Sequence, residues 1–234
     1  MSLPAEHPHE ALQRDEALLD TLTPGSATTV RWWVAASPAV VIGLGLRQRR
    51  HEIVDLARCS TAGVAILERR AGGGAVLVDT HMLCGAIALP RALVADDVTE
   101  SYRWLGDLLL AKLRALGLAG AHRVEVAEAR ADVATLKAHE DAVSQVLLSA
   151  CYGALSPHEI AIGSAKLVGL AQVRRRHAVL FQFGILRRDQ SGLADYLQVP
   201  DEATRAKVRD ALRRRTVGLE SLAVEPDQLA QRPW

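Results

Sequence analysis

Apolar residues recur along this chain in two rhythms, one helical and one alternating. Leu12, Leu18, Leu19 and Leu22 fall roughly at helical spacing and predict a helix over Glu10 to Leu22, ended by Thr23-Pro24-Gly25-Ser26. Strand-like runs follow at Thr29 to Val34 and Ala39 to Leu44, with Ser37-Pro38 as the turn between them. Glu52 to Ser60 predicts a short helix. Val64 to Leu67 and Ala75 to Val78 are short apolar runs, and Leu83 to Leu89 is a further strand closed by Pro90. The clearest helix is Val98 to Leu116, where Leu105, Leu108, Leu109, Leu113 and Leu116 form one stripe and Gly117 and Gly120 lie beyond its end. Arg123 to Ala127 reads as a strand. Ala129 to Ala150 is rich in helix formers but poor in period, so it is expected to be part helix and part loop. His158 to Ile162 and Leu167 to Val173 flank Gly163-Ser164 as a hairpin, and the basic turn Arg174 to His177 leads into Val179 to Leu186. After Asp189 the pattern becomes helical, at Ala194 to Val199 and Glu202 to Arg215.

This order predicts an α+β fold, a mixed or antiparallel sheet flanked by helices. Residues 1–190 are expected to form the main domain and 191–234 a short helical appendage packed on it. With 234 residues, 49% of them apolar, the chain can bury a substantial core. A formal charge of +1 gives no reason to expect nucleic acid or a membrane surface as partner. The polar start, Met1 to Glu16, does not read as a signal peptide, and no apolar run reaches the roughly 18 residues of a membrane span. Cys59, Cys84 and Cys151 are too widely spaced for a disulfide framework or a zinc knuckle, so free thiols, no metal and a cytoplasmic setting are expected.

Three stretches carry chemistry. The first is Arg69-Arg70-Ala71-Gly72-Gly73-Gly74-Ala75-Val76, set between two apolar runs. Consecutive glycines let a ligand approach bare main-chain N–H groups, and arginine adds charge and a fork of donors. The stretch lacks the Lys-Ser/Thr of a P-loop and leads into a strand-like run, so a dinucleotide fingerprint does not fit either. The second is the strand-like run Lys166-Leu167-Val168-Gly169-Leu170-Ala171, where Gly169 leaves room on its face for a ligand and Lys166 is either a cleft cation or a solvated lysine. The third is Cys151, at the end of the apolar stretch Val146 to Ala150 and before Tyr152-Gly153. It is either a buried, inert thiol or a nucleophile, since a nearby lysine favours the reactive thiolate.

Together these stretches resemble the biotin/lipoate protein ligase superfamily. Arg69 to Asp79, RRAGGGAVLVD, is similar to its arginine-rich triple-glycine signature, and Lys166 to Ala171, KLVGLA, to its second motif. Asp15 to Leu19 resembles the opening helix of the lipoate branch, and Ser37 to Gly43 its S-P-x-x-x-x-G strand. Ser149 to Ser156, followed by Glu159, Lys166 and Gln172, looks like the lipoate–protein ligase A-like octanoyltransferases that carry a catalytic cysteine. The chain departs from the pattern at Ala71, where a serine or threonine is usual, at Phe183, where a histidine is common, and at Thr80 to Cys84.

The resemblance implies a ligase-like catalytic domain and a lipoate-pathway acyltransferase. Cys151 would take an octanoyl or lipoyl group as a thioester from an acyl carrier protein or other acyl-thioester carrier. A lysine of a lipoyl-domain protein would then receive it. Lys166 would support the site, and Arg70, Gly72, Gly73, Gly74, Ala75, Val76, Asp79, Val168, Gly169 and Ala171 would bind substrate. That route implies no cofactor. ATP and magnesium enter if the alternative holds, an ATP-dependent lipoate–protein ligase working through an acyl-adenylate. A non-catalytic binder of acyl carriers is a further alternative, and a biotin ligase a weaker one. Cys84 and Cys59 read as core, and His81 as a structural histidine. Arg174 to His177 is read as a solvated turn, with docking of an acidic carrier as the functional alternative, and Arg213 to Arg215 as a solvated helix end. Trp32 and Trp33 fall on opposite strand faces, one in the core and the other available to wall an acyl tunnel.

Overall fold

The computed structural model describes residues 3–224 and 227–231 of the chain. Strands β1 (Ala5–Glu6), β2 (Thr29–Ala35) and β3 (Ala39–Gly43) surround helix α1 (Pro8–Thr21) in the first part of the chain. Short helices α2 (Arg50–Ile53) and α3 (Leu56–Thr61) lead to strands β4 (Ala65–Arg69), β5 (Val76–Val78) and β6 (Met82–Pro90). The long helix α4 (Val98–Ala115) is followed by β7 (Ala121–Arg123), then by helices α5 (Val126–His139) and α6 (Ala142–Ser149). Strands β8 (Ile160–Ile162), β9 (Ala165–Arg174) and β10 (Ala178–Leu186) complete the sheet, and α7 (Glu202–Arg215) and α8 (Asp227–Gln231) close the chain.

Seven strands form one sheet in the order β1-β2-β6-β10-β9-β8-β7, antiparallel except for the parallel pair β1–β2. Next to the central strand β10 lies β6, all nine residues of which are buried, which is why that stretch is apolar without alternation. A second sheet has the order β4-β3-β5. The two runs that flank the triple glycine therefore do not pair with each other. Both pair with β3, β4 parallel to it and β5 antiparallel, so the glycines carry the chain across the end of β3. Helix α1 lies on one face of the large sheet, where Leu19 packs with Ala86, Ala171 and Leu180. On the other face, Tyr102 and Trp104 of α4 lie against the ring of Phe181.

The predicted elements reappear with four physical corrections. The helix expected over 52–60 breaks in two, because Val54 makes a bridge to Leu197 and Asp55 then caps α3 by accepting from Arg58 N. The strand expected over 123–127 stops at Arg123, since Glu125 and Glu128 form a capping box that starts α5. The uncertain stretch 129–150 is two helices. They are separated at Glu140, in the left-handed region with φ of 48°, and Asp141 caps α6 by accepting from Ser144 N. The helical run expected over 194–199 is a single turn of 3₁₀ helix at Ser191–Asp195.

Helix α7 spans the residues its pattern predicts, and Arg205 on its buried face donates to the carbonyls of Ala194 and Leu197 at 2.7 and 2.9 Å. Beyond it, Val217 N donates to Lys166 O and Arg215 Nε donates to Gly153 O at 2.6 Å, so Arg215 is not a solvated helix end. Of the expected appendage, Glu225, Pro226 and residues 232–234 lie outside the described residues. Among the described residues, no helix is long and apolar enough to cross a membrane.

Candidate active site

The triple glycine is shaped by how closely other backbone passes it. A Cβ on Gly74 would sit 2.4 Å from Ser149 O and 2.7 Å from Cys151 N. That gap is closed by a short backbone ladder, in which Ala75 N donates to Ser149 O and Cys151 N to Ala75 O, each at 2.8 Å. Gly73 has φ of 106°, a conformation that favours glycine, and its position faces both Arg69 and Cys151 Sγ. The glycine motif and the cysteine segment, about 80 residues apart, are thus stitched into one structure.

Cys151 is half-buried at the seam. Arg69 Nη2 donates to its Sγ at 3.7 Å and to Gly72 O at 3.0 Å. A guanidinium therefore stands where the negative charge of a thiolate or of an oxyanion would develop. The neighbouring Arg70 does not share this position. Its backbone N donates to Glu16 Oε1 at 2.8 Å and its exposed guanidinium pairs with the same carboxylate at 3.1 Å. Of the two adjacent arginines, alternation along the chain turns Arg69 toward the cysteine and Arg70 toward helix α1. The sequence reading chose Arg70.

Lys166 is almost fully buried, and all three of its ammonium protons have acceptors. Nζ lies 2.6 Å from Glu159 Oε2, 2.6 Å from Cys151 O and 3.3 Å from Ala154 O. Glu159 is equally buried and also accepts from Ser156 N and Leu170 N, at 2.9 and 3.1 Å. Burial pushes its carboxyl above the ordinary value, opposed by Lys166 and those N–H groups. Lys166 thus grips the main chain of the cysteine segment from behind, and its ammonium has no proton left for a ligand. Glu159 was part of the pattern that carried the resemblance, yet nothing in the sequence marked it as the lysine's partner.

The space left by Gly169 is filled from within. A Cβ there would meet the Tyr152 ring at 2.9 Å, and one on Gly184 would meet its hydroxyl at 2.8 Å. That hydroxyl donates to Gly184 O at 2.6 Å and accepts from Gly169 N at 3.0 Å, a clasp across strands β9 and β10. The residue after the cysteine is thereby anchored on the sheet.

Beside Cys151 runs a mainly apolar cavity. Val41, Val76, Val78, Met82 and Leu12 line it, together with Arg69, Gly169 and Ala171. Trp33 is the tryptophan that walls it, while Trp32 packs edge-on to Phe183 with ring centroids 5.0 Å apart. The Phe183 ring lies over Gly85, where a Cβ would be 2.1 Å from Cζ, so the phenylalanine at this departure from the pattern is accommodated by a glycine opposite. Cys84 also lines the cavity, and burial holds its thiol well above the usual range, so it is a neutral thiol. Asp15, missed as a site residue, lines it as well. Burial pushes its carboxyl up to about 6, against the pull of Arg31 and of Trp33 Nε1, which donates to it at 3.1 Å.

The remaining predicted residues are spread around this centre. Val76 and Ala171 line the cavity, Ala75 belongs to the ladder with the cysteine segment, and Val168 is in the core. Gly72 and Gly73 also border a second, more polar cleft with Thr99, Tyr102, Ser156 and Glu159. Asp79 accepts from His81 N at 2.7 Å and neither residue reaches the cavity. In the basic turn, Arg174 is not solvated but donates to the carbonyls of Ala95, Asp96 and Asp97, leaving Arg175, Arg176 and His177 exposed.

Residues 7–232 match the family described as the lipoyl protein ligase A/B catalytic domain. The chain is 30% identical over 218 residues to octanoyltransferase LipM of Moorella thermoacetica, covering 92% of this chain and 74% of that protein. It is 25% identical over 222 residues to octanoyltransferase LipM of Staphylococcus epidermidis, covering 94% of this chain and 76% of the other. Among solved structures, the bipartite lipoate protein ligase of Thermoplasma acidophilum, studied with its E2 lipoyl domain, superposes with a TM-score of 0.74 at 22% identity, covering 98% of this chain and 80% of that one. Lipoate-protein ligase A bound with ATP superposes with a TM-score of 0.70 at 22% identity, covering 99% and 82%. These likenesses show the α+β fold of the biotin/lipoate ligases. They also correct one expectation: the same fold holds ATP in a solved ligase, so the assignment of no cofactor does not stand.

Proposed function

The chain belongs to the lipoyl protein ligase A/B catalytic-domain family and is an enzyme of lipoate-pathway acyl transfer or ligation, and from that premise we propose that Cys151 carries the acyl group. The observation that supports this is the half-buried Cys151 Sγ at the mouth of an apolar cavity, with Arg69 Nη2 3.7 Å away. The thiolate attacks the carbonyl carbon of an octanoyl or lipoyl thioester. As the new S–C bond forms, the carrier's S–C bond breaks, and the proton lost by Cys151 leaves on the carrier thiol. Arg69 and the N–H groups of Gly72 and Gly73 surround the oxyanion. A lysine amine of a lipoyl domain then forms the N–C bond, the Cys151 S–C bond breaks, and the amine's proton restores the thiol. Lys166 is a positioning residue in this scheme, holding the main chain at Cys151 through the Glu159 pair. Residues 191–234 are read as a helical appendage bracing the same segment, since Arg215 donates to Gly153 O. The apolar cavity takes the acyl chain.

A second reading follows from the ATP-bound ligase that shares the fold. In it the chain activates a free acid, ATP supplying the phosphoryl chemistry that turns a carboxylate into a mixed anhydride. This chain's groups fit an anion there: Gly72 and Gly73 are exposed, a Cβ on Gly72 would meet nothing within 4 Å, and Arg69 borders them. The fit leaves Lys166 no part at the phosphates.

Intact-mass measurement after incubation with an octanoyl-carrier thioester separates the two. The wild type is expected to gain one octanoyl group that hydroxylamine removes, and Cys151→Ala to gain none. An unmodified wild type, together with lipoate-dependent exchange of pyrophosphate into ATP, would replace the first reading with the second.

A further inference from the structure

Helix α5 turns a mixed face to solvent. Arg130, Ala134 and Lys137 fall at i, i+4 and i+7, so they share one stripe, and all three are exposed. Beside the stripe, Ala129, Val133, Leu155 and Pro157 line an apolar groove rimmed by these two cations. Elsewhere on the surface, arginines answer a nearby carboxylate, as Arg47 does Glu68, Arg103 Glu100 and Arg213 Asp210. Arg130 and Lys137 form no ion pair or side-chain hydrogen bond with any described residue. The carboxylates of their own helix serve other partners. Glu128 takes His122 and Glu125 N, and Asp132 takes Arg215 and Leu155 N.

The groove leads to the thiol. It shares Ser156 and Pro157 with the more polar cleft that borders Gly72 and Gly73, and that cleft shares Leu170 and Ala171 with the cavity beside Cys151. Gly73 faces Cys151 Sγ at the junction. From the surface inward the path is therefore cationic and apolar, then more polar, with the hydroxyl residues Thr99, Tyr102 and Ser156, then apolar again. The basic turn at Arg175 and Arg176 has no such connection. The hollow beside it, lined by Arg91, Val94, Arg176 and His177, shares no residue with the cleft.

We infer that the α5 groove is the docking surface for the donor, an acidic carrier protein that brings the acyl thioester on an extended arm. The inference rests on the reading of Cys151 as the residue that takes the acyl group. The order of the path matches the order of such a substrate: an acidic face of the carrier on Arg130 and Lys137, the amide-bearing arm in the cleft, the acyl chain in the cavity. The lipoyl domain fits this surface less well. Its lysine reaches on a stem of four carbons, so that domain has to sit over the cleft itself rather than back at α5. Rim charges of this kind act on encounter, and their effect fades with salt.

Loading of Cys151 in the full chain tests this with two octanoyl thioesters, one on an acidic acyl carrier protein and one on N-acetylcysteamine, which brings no protein surface. Arg130→Glu/Lys137→Glu is expected to lower the second-order loading rate from the carrier about tenfold or more at low salt, and to leave the small thioester within about twofold of wild type. Ala134→Trp, which fills the groove and keeps both charges, is expected to act in the same way. Arg175→Glu/Arg176→Glu is expected to change neither rate. The inference is overturned if both α5 variants load from the carrier as the wild type does, whether or not they then slow transfer to a lipoyl domain. It is equally overturned if they lose the small thioester to the same extent, or if the turn variant is the one that loses the carrier. Calorimetric titration of Cys151→Ala with the octanoyl-carrier, with and without the α5 reversal, separates this inference from the thioester reading. Carrier binding that the reversal abolishes, with no adduct on the wild type, would sink the thioester reading and leave the docking surface standing. An adduct that forms from the carrier equally fast in every variant would do the opposite.

Discussion

Removing the Lys166 ammonium tests whether it acts on substrate or on the main chain. Lys166→Met keeps the length of the aliphatic stem and deletes the charge. What remains is a buried Glu159 carboxylate whose cation has gone, and two backbone carbonyls, Cys151 O and Ala154 O, without their shared donor. Breaking a buried ion pair by removing one partner costs about 3–5 kcal/mol, a large share of the ~5–15 kcal/mol that holds a domain together. Glu159 retains Ser156 N and Leu170 N as donors, which puts the expected loss at the lower end, about 3 kcal/mol. The double variant Lys166→Met/Glu159→Gln removes the stranded charge and is expected to recover about half of that loss. The assay is urea unfolding of wild type, single and double variants, with acyl-enzyme formation followed by intact mass on the same samples. Activity is expected to follow the folded geometry, lowest in the single variant and partly restored in the double. The reasoning is refuted if Lys166→Met unfolds within about 1 kcal/mol of wild type while acyl transfer collapses, or if the double variant restores stability and leaves activity at the single-variant level. Either result would put the ammonium on the substrate.

Arg69 and Arg70 are adjacent but should separate cleanly. Arg69→Met is expected to slow acyl-enzyme formation about 100-fold, the loss typical of one oxyanion donor, whereas Arg70→Ala, which breaks an exposed pair, should change the rate less than threefold and stability by under about 1 kcal/mol. Single-turnover mass kinetics would show equal losses if the assignment were wrong. Gly74→Ala forces a Cβ into Ser149 O, so it should lower stability by about 1–3 kcal/mol and loosen the ladder to Cys151, read as faster amide exchange at Ala75 and Cys151. Unchanged exchange would contradict the close approach. Asp15 has a folded value raised to about 6 from 3.8, so its contribution to stability is full below about pH 3.8 and is lost as pH rises through 6. The stability of wild type relative to Asp15→Asn should therefore fall between pH 4 and 7, by an amount on the order of 2 kcal/mol, measured as unfolding free energy across that range. A flat difference would mean that the carboxyl is not held in a drying environment.

Much of this protein could be read from one dimension, and what could be read is local. Apolar period placed the helix at 98–116 and the strands at 83–89 and 179–186 because a side chain's face follows from its position along its own element. Glycine at 72–74 announced a close approach because no other residue permits one. Cys151 stood out by its flanks. What folding alone settled are questions of partnership between residues distant in the chain. The runs on either side of the glycines are neighbours in the chain, yet in the fold β3 lies between them. Gly169 looks like room for a ligand until Tyr152, from another element, fills it. Lys166 looks like an available cation until Glu159 and two carbonyls take its three protons, and Arg69 rather than Arg70 is the arginine at the thiol because β4 ends where it does. A sequence shows which donors and acceptors exist. Only the packed chain, where each buried group must find a partner within about 3 Å, shows which of them are already spent.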